Sequence, residues 1–213
     1  MAVMTAVAPE PRSAPARGEA TRKRVLDAAV ACIARDGFQA SNLSRIARYA
    51  GMTTGAIQHQ FGDKASLLAE VVERGYEQMV DRLARMPGGE EPLAARVSKL
   101  VEAAWSGYDA ASTRASLETL LAMRGDEAFH QRSISFLAAM HQRVDRLWMG
   151  TFWDAPCGRA GHVEAQRTVF ATLNGLALER ILVPGMPDPA PDLARLARHA
   201  LALLEARPQA PLE

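Results

Sequence analysis

Cysteine is nearly absent: Cys32 and Cys157 are the only two in 213 residues. Two thiols make no disulfide framework, which fits a reducing compartment. Long apolar runs are missing too, so the sequence offers no membrane-spanning helix. Residues 1–18, rich in Ala and Pro, lack the positive start and unbroken apolar centre of a secretory signal and read as a disordered arm. Metal-ligand spacing is lacking as well. Asp126, Glu127 and His130 share one helical turn, His141 follows further on, and His162 sits in an expected loop near Cys157, but nothing forms a three-ligand set. No catalytic site, metal or cofactor is therefore expected. Net charge is only +1, so bulk composition does not announce a polyanionic partner.

What is present is the ordinary material of a soluble globular protein, 48% hydrophobic and 23% charged, long enough for one good core or two small ones. Charge is uneven along the chain. Arg22, Lys23, Arg24, Arg35, Arg45, Arg48 and Lys64 outnumber Glu19, Asp27, Asp36 and Asp63, whereas acids outnumber bases from Ala65 onward. A basic front on an acidic body points weakly to a polyanion.

Apolar residues recur three and four apart in nearly every segment and strand alternation is scarce, which predicts an all-α fold of about nine helices. The first helix is expected over about 21–35, ended by Asp36-Gly37. Ser41 or Asn42 caps a second carrying Leu43, Ile46, Ala47 and Ala50 inward. Gly51 closes it in a positive-φ conformation. Thr53 or Thr54 caps a third helix ending near Phe61, and Asp63 caps a long amphipathic fourth over about 64–85. MPGGEEP (86–92) then breaks the chain. Further helices are expected at about 93–108, 113–124, 127–153, 161–182 and 192–206. The resulting division is an arm (1–18), a front module (19–64), a body (65–206) reached through a connector helix (65–85), and a tail (207–213).

The stretch IARYAGMTTGAIQHQFGDK (46–64) carries the most specific pattern. With Leu43 as first position of a helix-turn-helix, the fifth must be small and is Ala47, and the ninth must turn sharply and is Gly51. The apolar positions are Ile46, Ala50, Met52 and Ile57; Gln60 is the mismatch, with Phe61 beside it. An αα-hairpin that binds nothing shares such spacing. The outward residues favour DNA. Arg45 and Arg48 point off the second helix, and Thr53, Thr54, Gly55, Gln58 and His59 decorate the third with groups suited to base edges and phosphates. Lys64 adds charge at the free N–H groups opening the fourth helix. A helical adaptor that binds only protein is the rival that this face disfavours.

Residues 21–68 resemble the DNA-binding domain of the tetracycline-repressor (TetR/AcrR) family, through Thr21-Arg22, Gly37-Phe38, Ile46-Ala47, Ala50-Gly51, Gly55-Ala56, Phe61, Lys64 and Leu67-Leu68. The string IQHQF departs from the family's usual Leu-Tyr-x-His-Phe, placing Gln58 where a phosphate-binding tyrosine commonly stands. Operator preferences of typical members therefore do not carry over.

The resemblance implies a homodimer on a palindromic double-stranded DNA operator, a small-molecule effector, cytoplasmic location and, by family habit, repression. One recognition helix has too few contacts for strong specificity, so a second half-site is expected. The last two helices are the candidate dimer elements, through Phe170, Leu173, Ala177, Leu196, Ala200 and Leu203, with Gly175 admitting a close partner. The alternative is that they finish the monomer core. For an apolar or amphipathic effector the candidates are Trp105, Tyr108, Met123, Phe136, Met140 and Trp148, with Glu118 and Asn174 as orienting polar groups. Cys157, beside Pro156 and Gly158 with Arg159 near, leaves a redox-sensing thiol as a further alternative; Cys32 reads as core.

Overall fold

The computed structural model describes residues 14–86, 90–183 and 185–207, all-helical apart from turns. Its helices are α1 (Ala14–Asp36), α2 (Leu43–Ala50), α3 (Thr54–Phe61), α4 (Lys64–Ala84), α5 (Leu93–Tyr108), α6 (Ala111–Ala122), α7 (Glu127–Thr151), α8 (Gly158–Leu182) and α9 (Ala190–Glu205). No helix among the described residues is long and apolar enough to cross a membrane. The expected arm needs correction at its end: 14–18 already belong to α1, because Pro15 falls in the first turn, where its missing N–H costs nothing. The rest of the arm, residues 87–89 of the break and the tail from 208 lie outside the described residues.

Local chemistry sets the front boundaries. Asn42 caps α2 by accepting from Arg45 N–H at 2.9 Å, and Thr53 caps α3 by accepting from Ala56 N–H at 3.2 Å. Between them Gly51 sits at φ 60°, ψ 41°, and Met52 N–H closes on Ala47 C=O at 2.9 Å. A Cβ at that φ is disfavoured, so glycine is what lets the chain turn this sharply. Asp63 caps α4 through Ser66 N–H at 2.7 Å.

Two cores form, and α4 belongs to both. Its first half (Leu67, Leu68, Val71, Val72) packs with Val25, Ile33, Ile46, Ile57 and Phe61 in the front core. Its second half (Met79, Val80, Leu83) packs in the body core with Leu100, Trp148, Leu173 and Leu204. The front core also takes in Ala115 of α6 and Phe129 of α7, so the body grips the front module directly. Tyr76 of α4 packs against both cores. Where α4 crosses α6, Gly75 leaves no room for a side chain: a Cβ there would lie 2.7 Å from Ser112 C=O.

Candidate nucleic-acid interface and body cavity

The motif folds as its spacing requires. Ile46, Ala47, Ala50, Ile57 and Phe61 are buried, Met52 is half-buried, and Gln60 at the mismatched position is half-buried while Phe61 takes the core place. Arg22 of α1 binds this unit to its neighbours. Its guanidinium donates to Gln60 C=O at 3.2 Å, pairs with Glu70 of α4, and lies 4.7 Å from the Phe61 ring centre.

The outer face carries Thr53, Gly55, Gln58 and His59 exposed and Thr54 half-exposed, with no atom within 4 Å of the Gly55 Cβ direction. Two expected contacts are held from behind. Arg45 Nε lies 2.8 Å from Asp36 Oδ2, and Tyr49 donates its hydroxyl to the same oxygen at 2.9 Å. That hydrogen bond, helped by Arg45, holds the Asp36 carboxyl below its usual range. Lys64 Nζ rests 5.0 Å over the Phe38 ring. Tyr49 stands one turn after Arg45 on α2, so helical spacing sets those two together, whereas only the fold brings Asp36 of α1 to them.

The body holds a cavity of about 390 Å³. Tyr76 and Met79 of α4 and Tyr108 of α5 contribute to its lining, with Met140, His141, Val144 and Asp145 of α7 along one side. Val163, Gln166, Arg167, Phe170, Ala171 and Asn174 of α8 line the other. Gln166 Nε2 donates to Asp145 Oδ1 at 2.8 Å, bridging α7 and α8. Asn174 Nδ2 donates to Tyr108 Oη at 3.1 Å and to Phe170 C=O at 3.0 Å. Burial pushes the Tyr76 phenol up to about 12 and raises that of Tyr108 further, so both stay protonated.

Of the expected effector contacts, Tyr108, Met140 and Asn174 line this cavity and five do not. Glu118 Oε1 instead accepts the Phe38 N–H at 2.6 Å, joining α6 to the turn after α1. Met123 packs on the front core, and Trp105 lies under Arg180 at 5.9 Å. Phe136 is half-buried elsewhere on α7. Trp148 stands behind the lining, edge-on to Phe170 at 6.3 Å and Phe152 at 4.7 Å. Four of the six expected dimer residues need correction, while Phe170 and Leu203 stay half-buried. Leu173, Ala177, Leu196 and Ala200 are buried within the single chain, so a partner cannot bury them again. Phe170 lines the cavity, and Leu203 packs against the monomer core. Cys157 is buried, which raises its thiol pKa, so the exposed-thiol reading fails. His162 lies buried within α8 rather than in a loop. Tyr76, Met79 and Val144 also line the cavity, and their apolar spacing looks the same whether a helix faces core or cavity; Arg167, exposed at the rim, reads in sequence as a solvated charge.

A compact helix-turn-helix seated on an all-helical body with a cavity is the layout of bacterial helix-turn-helix regulators. Residues 25–71 match the description "Bacterial regulatory proteins, tetR family", so the helix-turn-helix end of the chain is of the kind that this family carries. The chain is 32% identical to the HTH-type transcriptional repressor KstR of Rhodococcus jostii over 72 residues, 34% of each chain. It is 29% identical to the HTH-type transcriptional regulator BetI of Cronobacter sakazakii over 184 residues, 86% of this chain and 74% of BetI. With KstR, KstR2 and AcrR, the match spans 34%, 62% and 35% of the relative's length. Among solved structures, NalD of Pseudomonas aeruginosa, a secondary repressor of a multidrug efflux pump, aligns at TM-score 0.60 and 26% identity over 87% of this chain and 96% of its own. FadR of Bacillus halodurans aligns at TM-score 0.67 and 18% identity over 92% and 96%, a likeness of fold.

Proposed function

We propose that the protein is a dimeric, cytoplasmic repressor that binds a palindromic operator through α2 and α3 and is released by a small, mainly apolar effector in the body cavity. One observation carries this reading: Tyr76 of α4 touches both cores and the cavity. A ligand that changes the packing of Tyr76 and Met79 acts on the helix whose first turns hold the reading head. If it favours the arrangement with misplaced α3 helices, it lowers DNA affinity by the factor by which DNA lowers its own.

Gln58, His59, Thr53, Thr54 and Gly55 are the proposed contacts to base edges and backbone, with Arg45 and Lys64 as phosphate partners. For the dimer, the outward stripe Thr172, Gly175, Glu179 and Leu182 of α8 and the exposed side of α9 at Ala194, Arg198 and Ala202 replace the buried residues. Repression accords with KstR and NalD being repressors.

The test is selection of fragmented genomic DNA on the ligand-free protein. Enrichment of a short inverted repeat supports the reading. Failure to enrich any sequence at low salt counts against DNA binding.

A further inference from the structure

We infer that the body cavity takes an uncharged, mainly apolar ligand bearing a hydroxyl that bonds Tyr108 and Asn174 together. This rests on the reading of the cavity as the effector site and adds the chemistry of what fills it. Asn174 fixes the polarity. A backbone carbonyl can only accept, so the amide atom 3.0 Å from Phe170 C=O is the nitrogen. The same nitrogen donates to Tyr108 Oη, leaving Asn174 Oδ1 as an acceptor without a partner among the described residues. Tyr108 accepts that bond, and no described residue takes its own hydroxyl proton; the side chain is only 3% exposed. One free donor and one free acceptor thus stand side by side on the cavity wall. A hydroxyl matches both, accepting from Tyr108 and donating to Asn174.

Charge is disfavoured there. Phe170 is hydrogen-bonded to Asn174, and α4 adds Tyr76 and Met79 to the lining, all three neutral. A carboxylate would meet the Asn174 oxygen, and Asp145, the acidic lining residue, is exposed and tied to Gln166 rather than to this pair. Arg167 and His141, the basic lining residues, are exposed.

The probes are 2-naphthol, 2-methylnaphthalene and 2-naphthoate, titrated calorimetrically into the full chain at neutral pH. The naphthol is expected to bind roughly tenfold tighter than its methyl isostere, since the methyl leaves both groups unpaired. It should also exceed the naphthoate. Tyr108→Phe should reduce the naphthol preference to about twofold or less without weakening the methyl compound, and Met140→Trp, which fills the cavity, should abolish all binding. Equal affinity for naphthol and methylnaphthalene, both lost in Met140→Trp, would leave the cavity as the binding site and overturn the hydroxyl assignment. A naphthoate preference removed by Arg167→Gln overturns it too. No binding of any probe, or binding unchanged in Met140→Trp, sinks the cavity reading itself and the inference with it. The three-ligand comparison on the unaltered protein decides the chemistry even where a variant does not fold.

Discussion

Single side chains decide how the reading head is presented. Asp36 is outside the proposed DNA contacts, yet it holds Arg45 and Tyr49 through one oxygen. Asp36→Ala is expected to weaken operator binding roughly three- to tenfold by freeing Arg45, as loss of preorganisation does. The slope of affinity against salt should stay as it is, because the Arg45 charge remains. Arg45→Ala should lower that slope by about one, the signature of a lost phosphate contact. Fluorescence anisotropy across a salt series separates the two. Gly51→Ala is a contrasting case. Its Cβ would meet nothing within 4 Å, so the expected cost of about 1–2 kcal/mol is purely conformational and is read from chemical denaturation.

Helices act through their contacts, and here α4, α6 and α8 matter most. Gly75→Ala would set a methyl 2.1 Å from Ser116 Oγ and 2.7 Å from Ser112 C=O. The hydroxyl can rotate away but the backbone cannot, so a loss of about 1–3 kcal/mol is expected in denaturant midpoints. The corrected role of α8 gives a sharper test. Leu173, fully buried in the monomer, should cost about 2–5 kcal/mol on change to Ala while leaving self-association intact. Leu182, 76% exposed on the outward stripe, should do the reverse: Leu182→Glu leaves the fold stable and splits the dimer in sedimentation velocity. Swapped outcomes would restore the original assignment of Leu173 to the dimer face.

At the scale of the whole molecule, acid should lower stability in two stages. His162 is buried, its Nδ1 without a partner, and burial lowers its pKa from 6.5. The unfolded chain therefore takes up this proton more readily, so stability falls as pH drops below about 6.5 and stops falling below the folded-state value. Asp36, Asp63 and Asp154 are lowered from 3.8 by Tyr49, by the Ser66 backbone and by Arg96 respectively. Their contribution is present above 3.8 and is lost as pH falls through the lowered values. Glu70, raised by burial despite Arg22, runs the other way above 4.5. His162→Gln should flatten the first stage alone in denaturation midpoints measured against pH. A first stage unchanged in that variant would exclude His162 as its source.

The sequence by itself determined the all-helical class, the boundaries of α2 and α3 and the frame of the helix-turn-helix. Those depend on neighbours in the chain: a cap accepts from an N–H three residues on, as Asn42, Thr53 and Asp63 do, and Gly51 turns the backbone locally. Helices α4 and α5 agreed for the same reason, one opened by its cap and the other preceded by Pro92. Only the tertiary structure decided which apolar residues of the body face core, cavity or solvent. Periodicity marks a face but not its partner, so Leu173 and Phe170 read alike although one fills the core and the other lines the cavity. Glu118 shows the same limit for polar groups, since its Phe38 partner lies across α6 and α1, where no spacing along the chain could point.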